Sequence, residues 1–222
     1  MEKRKPSISV DVAYASEPWW YDARGFLILT FAYRSTLPAQ LRLFSQNISD
    51  NHLEVAIGSG TLLNLCLLWR RVHNQTWKHI VGFDYSNQML SGAVKRFRKD
   101  SRIQISKEDA ADLPWEDCSF DSANVANSLH SFPELEKSLG EICRVLKPGA
   151  TLAGNCLLYP GKVWLLDRIS TWINHWGMRK GILHRPYDKQ EIQEKLVGAG
   201  FLIHKEVVRG NCYDFIVKKA KP

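Results

Sequence analysis

Apolar and polar positions follow two rhythms along this chain. From about residue 50, apolar runs of strand length (52–57, 79–84, 102–106, 120–127 and 150–157) alternate with stretches near 61–72, 86–98 and 133–146 that carry helical spacing. Such alternation predicts successive β-α units on a parallel sheet. Lys147-Pro148-Gly149 predicts a stop for the third helix and a turn into the next strand, because proline resists continuing a helix and glycine supplies the turn. Asp188 predicts the cap of a helix running to about Val197, with Gly198-Ala199-Gly200 ending it. Strand-like runs at 201–208 and 212–217 are joined only by Arg209-Gly210-Asn211, too short for a crossover helix, so these two strands are expected to be antiparallel neighbours. The predicted fold class is α/β, a Rossmann-like mixed sheet of seven strands with helices on both faces and the last strand antiparallel.

Two regions stand outside the alternation. Residues 1–50 hold Tyr14, Trp19, Trp20 and Tyr21 and a mostly apolar helical stretch interrupted at Pro38; residues 158–187 place Leu165, Ile169, Trp172 and Trp176 at helical spacing, opposed by Asp167, Arg168, Thr171, Asn174 and His175. Ligands of open α/β sheets bind beyond the carboxyl ends of the strands, where an inserted segment can roof them. The expected organisation is one domain over 1–222: a helical N-terminal lid arm at 1–50, a core at 51–157, a lid insertion at 158–187, and a final helix and hairpin at 188–222.

The chemistry is expected at strand ends. In Leu53-Glu54-Val55-Ala56-Ile57-Gly58-Ser59-Gly60 a strand with an acidic residue runs into a glycine turn and a helix, so a ligand can approach the backbone and meet free N–H groups. Asp84 ends the second strand, where a carboxylate can accept ribose hydroxyls, while Ser86 serves as the better helix cap. Asp109 and Ala110 follow the third strand; a carboxylate there can accept an adenine amino group and a neighbouring N–H can donate to the ring. A dinucleotide fingerprint wants a third glycine where this chain has Leu63, which argues against NAD.

With these residues in view, four collinear segments, LEVAIGSG (53–60), GFDYSNQML (82–90), DAADLPWEDCSFD (109–121) and RVLKPGA (144–150), carry a resemblance. The chain resembles class I S-adenosylmethionine-dependent methyltransferases, in the branch similar to the ubiquinone/menaquinone-biosynthesis enzymes. The resemblance covers roughly residues 50–157. It implies S-adenosyl-L-methionine as cofactor, with Glu54, Gly58 and Gly60 around its methionyl part, Asp84 on the ribose, and Asp109 with Ala110 at the adenine. By the same likeness Tyr85 and Met89 flank the adenosine and Asn127 lines the methionyl end. Ala56 stands where the family has its first glycine.

Methyl transfer needs no obligatory base; where the acceptor calls for one, His130 near the end of the fourth strand is the candidate catalytic residue. Its plainer role is to pack the helix entry.

The net charge of +7 favours an anionic partner, yet Lys95, Arg96, Arg98, Lys99 and Arg102 belong to one helix and the strand after it, and Lys218, Lys219 and Lys221 to the tail. Because this charge is spread, the expected partner is a small-molecule acceptor, lipid-like or aromatic, and not nucleic acid. The basic, Trp-rich stretch 163–185 also suits peripheral contact with an anionic membrane. The rival readings are a cofactor-binding regulatory or partner subunit without turnover, and a nucleic-acid methyltransferase. Five cysteines without CxxC spacing indicate no metal site and reduced thiols, and no run approaches the roughly 20 apolar residues of a membrane span. A cytoplasmic protein is therefore expected.

Overall fold

The β-α rhythm resolves into one seven-stranded sheet in the order β3-β2-β1-β4-β5-β7-β6. The structure is a computed structural model that describes residue 28 and residues 35–161, 165–180 and 183–221; the Tyr14, Trp19, Trp20 and Tyr21 cluster lies outside the described residues. In chain order the elements are α1 (Leu37–Asn47), β1 (Asn51–Val55), α2 (Thr61–Val72), β2 (His79–Asp84), α3 (Asn87–Phe97), β3 (Ile103–Lys107) and β4 (Phe120–Val125). Then come a single 3-10 turn (Leu129–Ser131), α4 (Leu135–Val145), β5 (Leu146–Leu157), α5 (Leu165–Arg179), α6 (Lys189–Gly198), β6 (Phe201–Arg209) and β7 (Cys212–Lys219).

Strands β1 to β5 are parallel, and β7 runs antiparallel to both β5 and β6. The chain steps outward from β1 to β3 and returns to β4 on the other side of β1, so the connections diverge between these two strands. In such sheets the ligand crevice opens beyond the carboxyl ends at that point of divergence.

Burial on both faces follows from the parallel arrangement. Leu53, Val55, Val81 and Phe83 pack with Leu139 and Ile142 of α4, Ile192 and Leu196 of α6, and Phe215 of β7. On the other face Phe44 and Ile48 pack with Leu63 and Leu67 of α2, Phe97 of α3 and Trp77. Each large apolar side chain taken from water in this way stabilises the fold by about 1.5–3 kcal/mol.

Pro38 sits in the first turn of α1, where a missing N–H costs nothing, and before residue 35 only residue 28 is described, as helical. Three local expectations are corrected. Residues 37–48, expected as part of a lid, form a layer of the core, because Phe44 and Ile48 are buried against α2. Lys147-Pro148-Gly149 is not a turn between elements but the irregular start of β5; Leu146 is extended and pairs with Phe120, and the register shifts before Ser122 pairs with Thr151. Gly149 absorbs that irregularity at φ +79°. Finally, α5 is turned over. Its Asp167, Ser170 and Asn174 are buried, whereas Ile169 and Trp172 are 41% and 64% exposed.

Candidate functional site at the carboxyl ends of the strands

The turn after β1 is shaped by three left-handed residues, Ala56 (φ +52°), Gly58 (φ +58°) and Gly60 (φ +75°). Two glycines take this conformation without strain; Ala56 carries a Cβ in a region that costs an L-residue about 1–2 kcal/mol. The turn is tied to β2 by the Ile57 N–H, which donates to the Phe83 carbonyl at 2.8 Å. Among the described residues a Cβ added at Gly58 would meet nothing within 4 Å, whereas one at Gly60 would lie 2.6 Å from Phe97 Cε2. Helix α2 starts after Gly60, which supplies no side-chain cap to its first turn.

Asp84, half-buried at the end of β2, faces this turn. Its Oδ2 accepts the Gly58 N–H at 2.9 Å and its Oδ1 the Ser86 N–H at 2.9 Å. Burial raises its pKa above the ordinary carboxylate value, and hydrogen bonds from Ser86, Gly58 and Tyr85 pull it back. Ser86 caps α3 by accepting the Met89 N–H, so Asp84 is free of that task. A carboxylate offers about four acceptor positions, so part of Asp84's capacity remains for a ligand.

Glu54 is buried in β1 and belongs to a polar network that the strand pattern did not announce. Its Oε2 lies 3.1 Å from His52 Nε2 and accepts from Asn124 Nδ2 at 3.2 Å; His52 Nδ1 meets Ser122 Oγ at 2.7 Å. Asn47 of α1 donates to Asn124 Oδ1 at 3.1 Å. These groups satisfy one another away from water, which fixes the Glu54 carboxylate under the turn.

Asn127 takes φ +55° just past β4, which is why the strand stops short of it. Its N–H donates to Asn155 Oδ1 at 2.6 Å, its Oδ1 accepts from Asn155 Nδ2 at 2.8 Å, and its Nδ2 donates to Gln40 Oε1 at 3.0 Å. Asn155 and Gln40 carried no motif. Nor did Arg96, which reaches from α3 to the glycine turn and donates to the Ser59 carbonyl at 3.2 Å and Thr61 Oγ1 at 2.8 Å.

The Asp109 loop lies beyond β3. Asp109 is exposed, and its Oδ1 accepts the Ala111 N–H at 2.9 Å, the turn-forming role of a loop aspartate; Ala110 is half-buried against the core. Arg144 of α4 stitches the loop down, donating to the carbonyls of Leu113 and Trp115 and to Glu141 and Asp117. Its guanidinium holds Glu141 below the usual carboxylate range.

Two expected residues sit differently. Tyr85 is 51% exposed, with Lys107 Nζ 5.8 Å from its ring centre, but Met89 is buried in the packed face of α3 and is not part of the crevice surface. His130 is also buried, and burial drives it down to about 3, so the ring is neutral and a weak proton acceptor near neutral pH. Its carbonyl accepts the N–H groups of His184 and Arg185 at 3.0 and 3.2 Å, which makes it an anchor for the segment after α5. Among the described residues no group of three or more His, Cys, Asp or Glu side chains is placed to hold a metal. Two surface hollows of about 570 and 550 Å³ lie elsewhere, and neither is lined by Gly58, Asp84 or Asn127.

Residues 53–154 match the family model of the methyltransferase domain. That stretch of the chain is similar to methyltransferase domains. A demethylmenaquinone methyltransferase of Porphyromonas gingivalis is 36% identical over 104 residues, covering 45% of this chain and 40% of that protein. A 2-phytyl-1,4-naphtoquinone methyltransferase of Synechococcus elongatus is 36% identical over 107 residues, 47% of this chain and 44% of that protein. The chain thus spans less than half the length of these curated relatives. An S-adenosylmethionine-dependent methyltransferase from Aquifex aeolicus superposes with a TM-score of 0.66 at 18% identity, covering 92% of this chain and all of that one. The mixed sheet therefore has the Rossmann-like fold of that methyltransferase, and the trans-methyltransferase CalH, whose structure is a complex with SAH, superposes on this chain with a TM-score of 0.61 at 20% identity.

Proposed function

We propose that this chain transfers the methyl group of S-adenosylmethionine to a small acceptor of quinone-like or lipid-like character. The observation that carries the reading is the convergence of an open left-handed turn, an uncapped helix start and the Asp84 carboxylate at one point of the sheet. Support for the acceptor class comes from the two relatives, one a methyltransferase of demethylmenaquinone and the other of 2-phytyl-1,4-naphtoquinone.

In this reading the N–H groups at the start of α2 and the Gly58–Gly60 backbone receive the methionyl end, with Glu54 beneath it and Asn127 beside it. Asp84 accepts the ribose hydroxyls, with Asp109, Ala110 and Tyr85 around the adenine. The cofactor supplies a sulfonium-activated methyl carbon for in-line displacement. The chain's task is to hold the acceptor in line and keep water out. Residues 158–187, α5 among them, follow β5 on the crevice side and are suited to roof the acceptor. The role assigned to His130 is structural, since a buried neutral ring of such low basicity takes up a proton poorly. A lipid-like acceptor would reach such a site from a bilayer.

One observation favours a cofactor-binding subunit without turnover: Ala56 holds a strained left-handed conformation where a glycine would be relaxed. Nucleic acid is disfavoured because several cations are committed to acids, Arg102 to Asp100, Arg144 to Glu141 and Lys195 to Glu136.

Calorimetry with S-adenosylmethionine and its demethylated product tests the binding reading. Asp84→Ala should weaken affinity by about 1.5–3 kcal/mol, roughly ten- to a hundredfold, and Asp84→Asn by less. Unchanged affinity in a folded Asp84→Ala protein would show that the carboxylate only braces Gly58. Transfer of labelled methyl into an organic-phase acceptor supports turnover, and label found in RNA instead would sink the small-acceptor reading.

A further inference from the structure

Helix α5 presents an unusual outward face. At about 100° per residue, Arg168, Ile169, Trp172, Trp176, Arg179 and Lys180 fall within one half of the helix circumference, and no acidic residue shares that half. Arg168, Arg179 and Lys180 are exposed, and none has an ion-pair partner among the described residues. The acid of this helix, Asp167, is on the inward side and buried together with Ser170 and Asn174, and the Thr171 hydroxyl donates to the Asp167 carbonyl at 2.7 Å. Ile173 and Met178 flank that inward side, packing toward Leu157, Leu183 and Cys212. The fold thus buries the polar stripe and leaves Ile169 and Trp172 of the opposite one in solvent, with Trp176 half-buried.

An outward apolar stripe is unfavourable unless something covers it. The chemistry of the face says what suits it. Tryptophan pairs an apolar ring with a polar N–H and is at home between headgroups and acyl chains. Arginine and lysine can bury their stems and keep their charge among anionic headgroups. A net charge of +7 draws the whole chain toward a negative surface.

We infer that the outward face of α5 docks on the surface of a bilayer containing anionic phospholipid, lying in the interface rather than crossing it. None of the described helices is long and apolar enough to cross a membrane. The inference rests on this surface alone, so it stands or falls separately from the methyl transfer proposed above.

Flotation of the full chain with vesicles of phosphatidylglycerol mixed with phosphatidylcholine, against vesicles of phosphatidylcholine alone, tests it without any cofactor. Binding is expected only to the anionic vesicles and should fall as salt is raised. Ile169→Ser with Trp172→Ala, and separately Arg168→Glu with Arg179→Glu, should each lower the bound fraction about tenfold or more while leaving the melting temperature unchanged. Quenching of tryptophan fluorescence by brominated lipid should be strong in the wild type and reduced by the conservative Trp172→Phe. No binding, equal binding to both vesicle types, undiminished binding by the folded variants, or identical quenching in Trp172→Phe would overturn the inference. So would a dimer that Trp172→Ala separates and that ignores vesicles, since a second copy of the chain would then be the occupant.

Discussion

The strand and turn at 51–60 and the helix at 165–179 both mix apolar with polar positions near the carboxyl side of the sheet, yet they were oriented by different forces. In β1 the two faces are decided by period two: Leu53 and Val55 meet α4 and α6, while His52 and Glu54 point to the α1 side. Because β2 and β4 flank this strand, neither set can escape burial, and the polar set survives there only through Ser122, Asn124 and Asn47. Helix α5 buries one side and leaves Ile169 and Trp172 of the other exposed. Its rotation was free to follow whichever stripe found partners, and it was the stripe of Asp167, Ser170 and Asn174 that turned inward. Apolar patterning therefore predicts orientation where an element is enclosed, and loses that power where one side is open.

The sharpest way to break the comparison is Gly60→Ala. That residue combines φ +75° with a Cβ position 2.6 Å from Phe97 Cε2, so a loss of about 3 kcal/mol is expected from left-handed strain plus overpacking, with weaker cofactor binding beside it. Urea unfolding measures it; a variant as stable as the wild type would mean the turn is not held as tightly as the enclosed strand requires.

His130 anchors the segment after α5 through its carbonyl and offers a test in pH. Its folded value is lowered by burial from 6.5 to about 3, so below about pH 6.5 the unfolded chain takes up a proton that the folded chain refuses. The unfolded state then binds more protons, and stability falls with falling pH by about 1.4 kcal/mol per unit until about pH 3. Between about pH 6.5 and 5 this amounts to about 2 kcal/mol, and His130→Gln should flatten that part of the stability curve whatever its absolute stability. An unaltered slope would show that the ring is hydrated when folded.

On α5 the two sides should answer in reverse of their hydropathy. Ser170→Leu, adding bulk to the buried stripe, should destabilise by about 1–3 kcal/mol, whereas Trp172→Ser should stay within about 0.5 kcal/mol in the absence of lipid. Thermal melts that rank the two the other way would restore the ordinary amphipathic orientation.

The smallest effect is the most local. Ala56→Gly should raise stability by up to about 1 kcal/mol, the left-handed strain relieved less the extra freedom of the unfolded glycine, and should not weaken cofactor binding. A loss of stability would show that packing of the Ala56 methyl outweighs its strain.

The course of the chain was written locally. Strand and helix alternation, the hairpin around Gly210, the Gly58–Gly60 turn, Asp84 at a strand end and Ser86 as a cap could all be read from neighbours in sequence, because period, turn chemistry and capping act over a few residues. What no local pattern held was the pairing of residues far apart. Asn155 and Gln40 around Asn127, Arg96 across the turn, Arg144 under the Asp109 loop, and the burial of Met89 and His130 depend on where the sheet brings distant segments. Ala56 was visible as a departure, but its left-handed conformation was not. The rotation of α5 belongs to the same class: helical spacing drew both stripes, and only the tertiary structure, by supplying partners to the polar one, decided which would face water.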